Sequence, residues 1–399
     1  MVGIFLLAII NFRKRNYLTA FLENRINLGI ILLFLLHFIS LLYSTDKQSG
    51  LEVIQRRLPL LILPTAFCFI DFEKKTWNKI LLFYAFSTTI ASIVGFSYGF
   101  YLNTKLHDTG YLYNDNISAL LMGKQSVYFA FYVNIAVFIF IYQLLQKEEI
   151  IQKLHFLIWV SILWLLFISF MLACKTAMIG LFIILLWTVI FYLIKKRKFF
   201  EITIIAVALI VGGFLAVKTS PKTMNRFKGL TQTDFQFENR NKENHFNAEY
   251  DENKWSSTNT RIAIWTCGFE VWKEHLIFGT GIGDRDAALL KKYKEKQFWF
   301  AYTTEKHTHN QYLDIALSMG IIGLLIFLVA FILYPIKVFL KQKQGLAIMI
   351  FVCLAICLFT ENMLNRYQGL VLIALILPLV SKISDKRKPT TIDFPPHTY

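Results

Sequence analysis

The stretch that decides the fold is HTHNQYLDIALSMGIIGLLIFLVAFILY, residues 307–334. Its first four residues, which include two histidines, end a long polar segment. From Gln311 onwards the stretch is apolar for long enough to cross a bilayer as a helix. Asn310 is a favourable N-cap residue, and the helix that it would open directs unpaired amide N–H groups and a partial positive charge back towards the histidines. That field favours a neutral imidazole and a bound anion at the membrane surface.

The whole chain has the composition of a membrane protein. Of its 399 residues, 56% are hydrophobic, only 17% are charged and 38 are Phe, which excludes a soluble globular domain. The formal charge of +16 indicates membrane topology, because basic residues mark cytoplasmic loops and no nucleic-acid-binding motif is present. The five cysteines have neither disulfide-framework nor zinc-site spacing. We therefore predict an all-α, multi-pass helical bundle that contacts membrane lipid and no nucleic acid.

About eleven apolar runs predict the membrane-spanning helices. They cover residues 2–11, 26–43, 51–70, 77–100, 126–146, 155–172, 177–194, 199–217, 311–335, 345–360 and 368–381. We interpret 2–11 as a short first span, because no small-residue cleavage site follows it. Pro59 and Pro64 predict a kinked or half-crossing third span.

The distribution of basic residues predicts the orientation. The short loops on one side of the bundle carry 20 Lys and Arg and those on the other side carry 7, so the first set and the C-terminus are placed in the cytoplasm. The chain then divides into transmembrane helices at 1–217, a large periplasmic loop at 218–310, further transmembrane helices at 311–385 and a cytoplasmic tail at 386–399. Within the loop, residues 231–256 are rich in Asn, Glu and Lys, which predicts a mobile insertion.

The same loop contains a predicted amphipathic helix at 260–276. Its apolar residues recur at spacings of three and four: Ile262, Trp265, Phe269, Trp272 and Leu276. Residues 257–260 offer N-caps, Gly279 would end the helix, and Arg261 would lie in its first turn. A cation is unfavourable at that end of the helix dipole, which indicates a bound anion nearby.

Three features together resemble the O-antigen ligase and polymerase family, bacterial membrane enzymes that act on polyprenyl-pyrophosphate-linked glycans. They are the Arg261 helix, the turn Phe278-Gly-Thr-Gly-Ile-Gly283, and His309-Asn310 followed by nine residues and Gly320-Ile-Ile-Gly323. The related core would cover about 170–335. Members of the family usually have about twelve spans, and residues 231–256 are an insertion relative to the family pattern.

The resemblance implies a glycosyltransferase of the bacterial inner membrane that needs no metal or other cofactor. Its donor would be an undecaprenyl-pyrophosphate-linked glycan, its acceptor a glycolipid or glycan, and its site would face the periplasm. The resemblance makes His309 the base that takes the proton of the acceptor hydroxyl, and Arg261 the group that binds the leaving pyrophosphate. Further candidates for substrate binding are His307, Asn310, Lys175, Arg56, Arg57, Glu361 and Arg366.

Each candidate also has a purely structural interpretation. Histidines and Asn310 can cap or anchor a helix, basic side chains can extend to lipid headgroups, and Glu361 can pair with Arg366. The His-x-His pair also suggests zinc, but neither His245 nor His275 has the spacing of a further ligand.

The acceptor decides between two activities of the family. A ligase transfers the glycan to a lipid A core and a polymerase transfers it to another lipid-linked repeat; the unbroken match at His309–Gly323 favours a ligase. A polysaccharide transporter or flippase is the alternative of another class. Transporters usually keep ionisable residues at the bilayer midplane, whereas here they gather at the ends of the spans. A nonenzymatic membrane scaffold would leave the Arg and His arrangement unexplained.

Overall fold

The computed structural model describes residues 17–70, 73–146, 149–195, 204, 207, 210–212, 214, 229–244 and 250–382. Within these residues the fold is all-α, as predicted, and the single extended pairing is an isolated bridge between Glu243 and Trp255. The α-helices, numbered α1 to α16, are Tyr17–Glu23, Arg25–Tyr43, Lys47–Arg57, Pro59–Cys68, Lys74–Leu106, Asp115–Met122, Ser126–Gln146, Glu149–Leu172, Lys175–Lys195, Ser257–Glu274, Arg285–Glu295, Trp299–Thr303, Gln311–Ile326, Tyr334–Lys341, Gly345–Thr360 and Tyr367–Ser381. Short 3₁₀ helices lie at Thr109–Leu112 and Met363–Asn365, and a π-helix at Phe327–Leu333.

Five helical stretches of the described chain are long and apolar enough to cross a membrane. They are Arg25–Tyr43, Lys74–Leu106, Ser126–Leu145, Ile151–Leu172 and Gln311–Lys341. Shorter apolar helices follow the predicted runs at 177–194, 345–360 and 368–381. The chain is therefore a multi-pass helical membrane protein. The predicted span 2–11 and tail 386–399 lie outside the described residues, as does most of 199–217.

The predicted third span consists of two helices. α3 ends at Arg57 and α4 begins at Pro59, so the chain bends at Leu58. Proline is tolerated at the start of α4 because the first helical N–H groups have no intrahelical partner. Neither helix is long enough to cross a membrane by itself. This bend directs Arg57 into the bundle, where its side chain is completely buried.

The span that begins at α13 is capped as predicted but is not continuous. The side chain of Asn310 accepts a hydrogen bond from the amide of Leu313 at 3.1 Å. Gly320 then breaks the helical geometry with φ +62°, a conformation that L side chains rarely adopt. A Cβ atom there would lie 2.2 Å from the carbonyl oxygen of Ile277. Gly320 is thus required for the close approach of the span to the loop at 218–310, which is called the long loop below.

The turn after α10 fills this break. The amide of Thr280 donates to the carbonyl of Leu317 at 2.8 Å, and the amide of Ile321 donates to the carbonyl of Leu276 at 2.8 Å. Gly279 has φ +72°, and a Cβ there would lie 2.5 Å from the amide nitrogen of Met319. The glycine-rich turn therefore attaches the long loop to α13 at the break around Gly320.

The structure corrects the start of the amphipathic helix. α10 begins at Ser257, with Ser256 as its N-cap in a capping box with Asn259, so Arg261 lies one turn inside the helix. The predicted apolar stripe is partly exposed, since Phe269 is 46% and Leu276 48% exposed, whereas Trp265 and Trp272 pack against buried residues.

The buried face of α10 is made of smaller residues instead: Ala263, Ile264, Cys267, Gly268 and Val271. A Cβ at Gly268 would lie 2.8 Å from Leu313, so small side chains permit α10 to pack closely on α13.

The predicted mobile insertion is packed over its described part. Trp255 is 1% exposed, and its ring lies 4.8 Å from Phe298 and 5.8 Å from Phe300, centroid to centroid. Phe235 and Phe237 pack against the same cluster. An aromatic core of the long loop therefore holds residues 229–244 and 250–256 against the chain that leads to His307.

Candidate active site

A cavity of about 490 Å³ lies where the long loop meets the ends of several spans. Six of the predicted functional residues line it: Lys175, Arg261, His307, His309, Glu361 and Arg366. They come from α9, α10, the loop before α13 and the connection between α15 and α16. The structure thus brings together residues that are up to 191 positions apart in the chain, from Lys175 to Arg366.

The loop that carries the two histidines is held by its central residue. The Oγ1 of Thr308 lies 3.1 Å from Oδ1 and 2.8 Å from Nδ2 of Asn362, and the indole N–H of Trp265 donates to the Thr308 carbonyl at 2.8 Å. His309 has φ +46°, which is uncommon for a residue with a side chain. The fixed loop presents both imidazoles to the cavity, with their ring centroids 4.0 Å apart.

His309 has a carboxylate partner. Its Nδ1 lies 3.4 Å from Oε2 of Glu361. Although burial alone would raise the pKa of Glu361, the hydrogen bond and charge of His309 and the charge of Arg261 hold that pKa below its usual value. The carboxylate is therefore charged at neutral pH and can accept a hydrogen bond from the Nδ1–H group. Nε2 of His309 is then left as the basic nitrogen.

His307 has a different electrostatic state. Burial, followed by the charge of His309, lowers the pKa of His307 to about 3. It is consequently neutral throughout the physiological range. The sequence predicted a neutral histidine here because of the partial positive charge at the start of α13. In the structure the chief cause of the lowered pKa is burial. A neutral imidazole can donate or accept a hydrogen bond without adding charge to the cavity.

Three cationic side chains that sequence analysis singled out line the same cavity. The Nζ of Lys175 donates to Ser257 Oγ at 2.7 Å, which joins the start of α9 to the start of α10. Over the described residues, the guanidinium groups of Arg261 and Arg366 have no carboxylate within ion-pairing distance. Glu361 pairs with His309 and not, as the structural alternative supposed, with Arg366. Two arginines are thus available to an anionic ligand.

The other three candidates lie elsewhere. Arg56 is exposed near the end of α3, Arg57 is fully buried, and the Asn310 side chain is used to cap α13. None of these three residues lines the cavity.

Arg57 instead belongs to a buried polar cluster around Asp314, which sequence analysis missed. Asp314 Oδ2 lies 2.7 Å from Arg285 Nη1 and 3.6 Å from Arg57 Nη2. Asp314 Oδ1 accepts a hydrogen bond from Asn362 Nδ2 at 3.1 Å. Because Asn362 also hydrogen-bonds Thr308, the cluster helps to hold the histidine loop in place. An aspartate within an apolar span is costly unless it is paired, and this was the signal that could have revealed it.

The cavity also contains a possible metal-ligand set. One ligand atom from each of His307, His309 and Glu361 lies within 4.8 Å of the others. Two imidazoles and a carboxylate are a combination that zinc accepts. Glu361 lies 52 positions after His309, so no local spacing indicates it as a third ligand.

Comparison with known families decides the relationship. Residues 160–328 match the family model described as O-Antigen ligase. This segment belongs to the O-antigen ligase family. The match includes Lys175, Arg261, His307 and His309, and it confirms the family that the motifs resembled. It implies a function of the O-antigen ligase or polymerase type, with a lipid-linked glycan and an acceptor as partners. No curated protein matches the chain.

Proposed function

We propose that this protein is a glycosyltransferase of the bacterial inner membrane that transfers a glycan from undecaprenyl pyrophosphate to an acceptor hydroxyl at a site facing the periplasm. The observation that carries the proposal is the composition of one cavity. It combines a histidine–carboxylate pair, His309 and Glu361, with two arginines that have no ion-pair partner in the described chain. A base and an anion site are the two requirements for displacing a diphosphate with a hydroxyl.

The proposed reaction is a single displacement. Glu361 accepts a hydrogen bond from the Nδ1–H group of His309, and Nε2 takes the proton of the acceptor hydroxyl. The acceptor oxygen forms a bond to the anomeric carbon while the bond from that carbon to the diphosphate oxygen breaks. The electron pair of the broken bond leaves with the diphosphate, and the configuration of the sugar carbon inverts. His309 ends the step as an imidazolium, which Glu361 stabilises.

The cations act on the leaving group. Charge accumulates on the diphosphate in the transition state, and Arg261, Arg366 and Lys175 place positive charge at the cavity. A contact that is positioned on the developing charge contributes about 3 kcal/mol to lowering a barrier. Arginines that bind the diphosphate can thus perform the charge neutralisation for which many phosphate-handling enzymes use a metal. We therefore propose a reaction that needs no metal, in which His307 and His309 act as a hydrogen-bonding group and a base.

Within this proposal the acceptor is a lipid A core, which makes the protein a ligase; a polymerase acting on lipid-linked repeats is the alternative. Surface polysaccharide from a deletion strain separates the two. Long chains retained on the lipid carrier would identify a ligase, and single repeats would identify a polymerase.

The direct test uses purified protein, a lipid-linked donor and both candidate acceptors, in the presence of a chelator. Wild-type protein should transfer the glycan. His309→Ala and Arg261→Ala should insert and fold but transfer nothing. Transfer at the wild-type rate by either variant would refute the mechanism, and failure of wild-type protein with every acceptor would refute the function.

A further inference from the structure

The long loop contains a second cavity, larger than the first, with a volume of about 1170 Å³. Tyr250 lines both cavities, so the two are neighbours along one surface. Among the described residues, the lysines and arginines that line the first cavity do not line the second one. The second cavity therefore differs in chemistry from the proposed diphosphate site.

The walls of the second cavity are fixed. Trp255 lies in the aromatic core described above, and its ring packs on Phe235 at 6.4 Å between centroids. The side-chain amide of Asn239 donates to the Asn253 carbonyl at 3.0 Å, and the hydroxyl of Tyr250 donates to Gln232 Oε1 at 2.5 Å. A preformed concave surface costs little ordering entropy when it binds a ligand.

The lining excludes an anionic ligand. It contains three carboxylates, Asp234, Glu238 and Glu252, and no Lys or Arg among the described residues. A diphosphate would therefore be repelled here, in contrast to the first cavity with its arginines. The charges of the two cavities indicate that each receives a different part of a substrate.

The remaining lining fits sugar hydroxyls. Six side-chain amides and three aromatic residues accompany the carboxylates. Amides and carboxylates can form paired hydrogen bonds with neighbouring hydroxyl groups, and aromatic rings can contact the apolar C–H faces of a sugar. The side chains of Gln236, Glu238 and Asn253 are exposed. Asn253 hydrogen-bonds Asp251, whereas Gln236 and Glu238 have no side-chain hydrogen-bond partner in the described part of the protein. At least two polar groups are thus free to bind a ligand.

We propose that the second cavity binds phosphate-free sugar units of a glycan whose reacting end occupies the first cavity. This inference rests on the proposed function, since that function supplies the glycan. The sugar units can come from a donor or from an acceptor. In both cases the chemistry recognised is the same, a chain of sugar hydroxyls that carries no phosphate.

Binding is tested on the full chain in lipid nanodiscs by calorimetry. The probes are lipid-free, phosphate-free oligosaccharides of one to four repeat units, released from the host's surface polysaccharide. The variant combines Gln236→Ala, Glu238→Ala and Asn253→Ala. Its matched control combines Thr233→Ala, Arg240→Ala and Lys242→Ala, which are exposed positions of the same loop outside both cavity linings.

Wild-type protein and the control should bind the longer probes more tightly than the single repeat. The cavity variant should bind them at least about tenfold more weakly, as expected for the loss of several hydrogen bonds. Equal binding by the cavity variant and the control, or no binding by wild-type protein, would overturn the inference.

Transfer kinetics then identify the source of the sugar units. Donors and acceptors are lengthened in separate series, and the cavity variant should lose the preference for longer chains in one of them. A wild-type length preference in both series of the variant would also overturn the inference. The proposed function fails separately: if wild-type protein binds the oligosaccharides through these three side chains but transfers nothing, the sugar site stands and the transferase does not.

Discussion

Replacing Asp314 with asparagine should destabilise the protein more than any change at an exposed ion pair. The Asp314 side chain is 2% exposed and is shared by Arg285 and Arg57, at 2.7 Å and 3.6 Å. Arg285 also contacts Asp286 at 3.1 Å, so it would retain one carboxylate. Arg57 would lose its carboxylate partner while remaining fully buried.

The magnitude follows from this burial. Removing one partner of a buried ion pair costs about 3–5 kcal/mol, because the remaining charge cannot return to water. We expect the lower end of that range, about 3 kcal/mol, because an asparagine at position 314 can still hydrogen-bond Asn362 and the arginines. At about 2 °C per kcal/mol the unfolding temperature should fall by about 6 °C.

The measurement is thermal unfolding in nanodiscs, followed by intrinsic fluorescence. Glu274→Gln is the control, because Glu274 also pairs with a lysine, Lys292 at 2.6 Å, but is 55% exposed. Lys292 would keep Glu295 at 2.8 Å, and exposed pairs contribute little to stability. If Asp314→Asn unfolds at the same temperature as Glu274→Gln, the buried cluster does not stabilise the fold as argued here.

Four further predictions concern the candidate active site. Arg261→Lys should reduce glycan transfer by about 10²-fold, because a lysine offers a point charge where the guanidinium can bind two phosphate oxygens. Wild-type kinetics of this variant would argue against phosphate binding at Arg261. Glu361→Gln should lower kcat by at least about 10²-fold with little change in KM, since the amide cannot stabilise the protonated His309, while Glu361→Asp should recover part of the rate. Stability should decrease as the pH falls from 6.5 towards 3, because His307, with its pKa lowered to about 3, stays neutral in the folded state while the unfolded state takes up a proton. His307→Gln should reduce the decrease in unfolding temperature most clearly between about pH 6.5 and 5, above the range in which carboxylates titrate. An unchanged slope in that range would contradict the assignment. Incubation with EDTA should leave transfer unchanged, and loss of activity that zinc restores would instead assign His307, His309 and Glu361 to a metal.

Most of the helical framework could be predicted from the sequence, because long apolar runs have few alternatives to a membrane-crossing helix. The capping role of Asn310 was predictable for the same local reason, since it requires only residues within one turn. That His309 and Arg261 line one cavity was predicted from the resemblance to a family. Local sequence patterns could not have predicted it, because the two residues are brought together by the fold of the whole chain.

What the sequence could not provide depends on long-range packing. The partners of Asp314 lie on α3, α11 and the 362–365 connection, and no spacing in the chain relates them. The buried face of α10 could not be predicted for a different reason. An apolar stripe fits a membrane surface as well as the bundle, and only the close approach of α13 shows that small residues face that helix while Phe269 is left exposed.

The break at Gly320 has a consequence for how the protein responds to its lipid surroundings. The hydrogen bonds between the loop around the glycine-rich turn and residues 317–322 attach both sides of the break to the long loop. The part of the span that continues to Lys341 is then the one that adapts when the bilayer becomes thicker or thinner, by tilting or through its π-helical stretch. Because the attached residues lie between that part and Asn310, we expect such adaptation to leave the histidine loop in place. The position of the candidate catalytic residues should therefore depend little on the thickness of the bilayer.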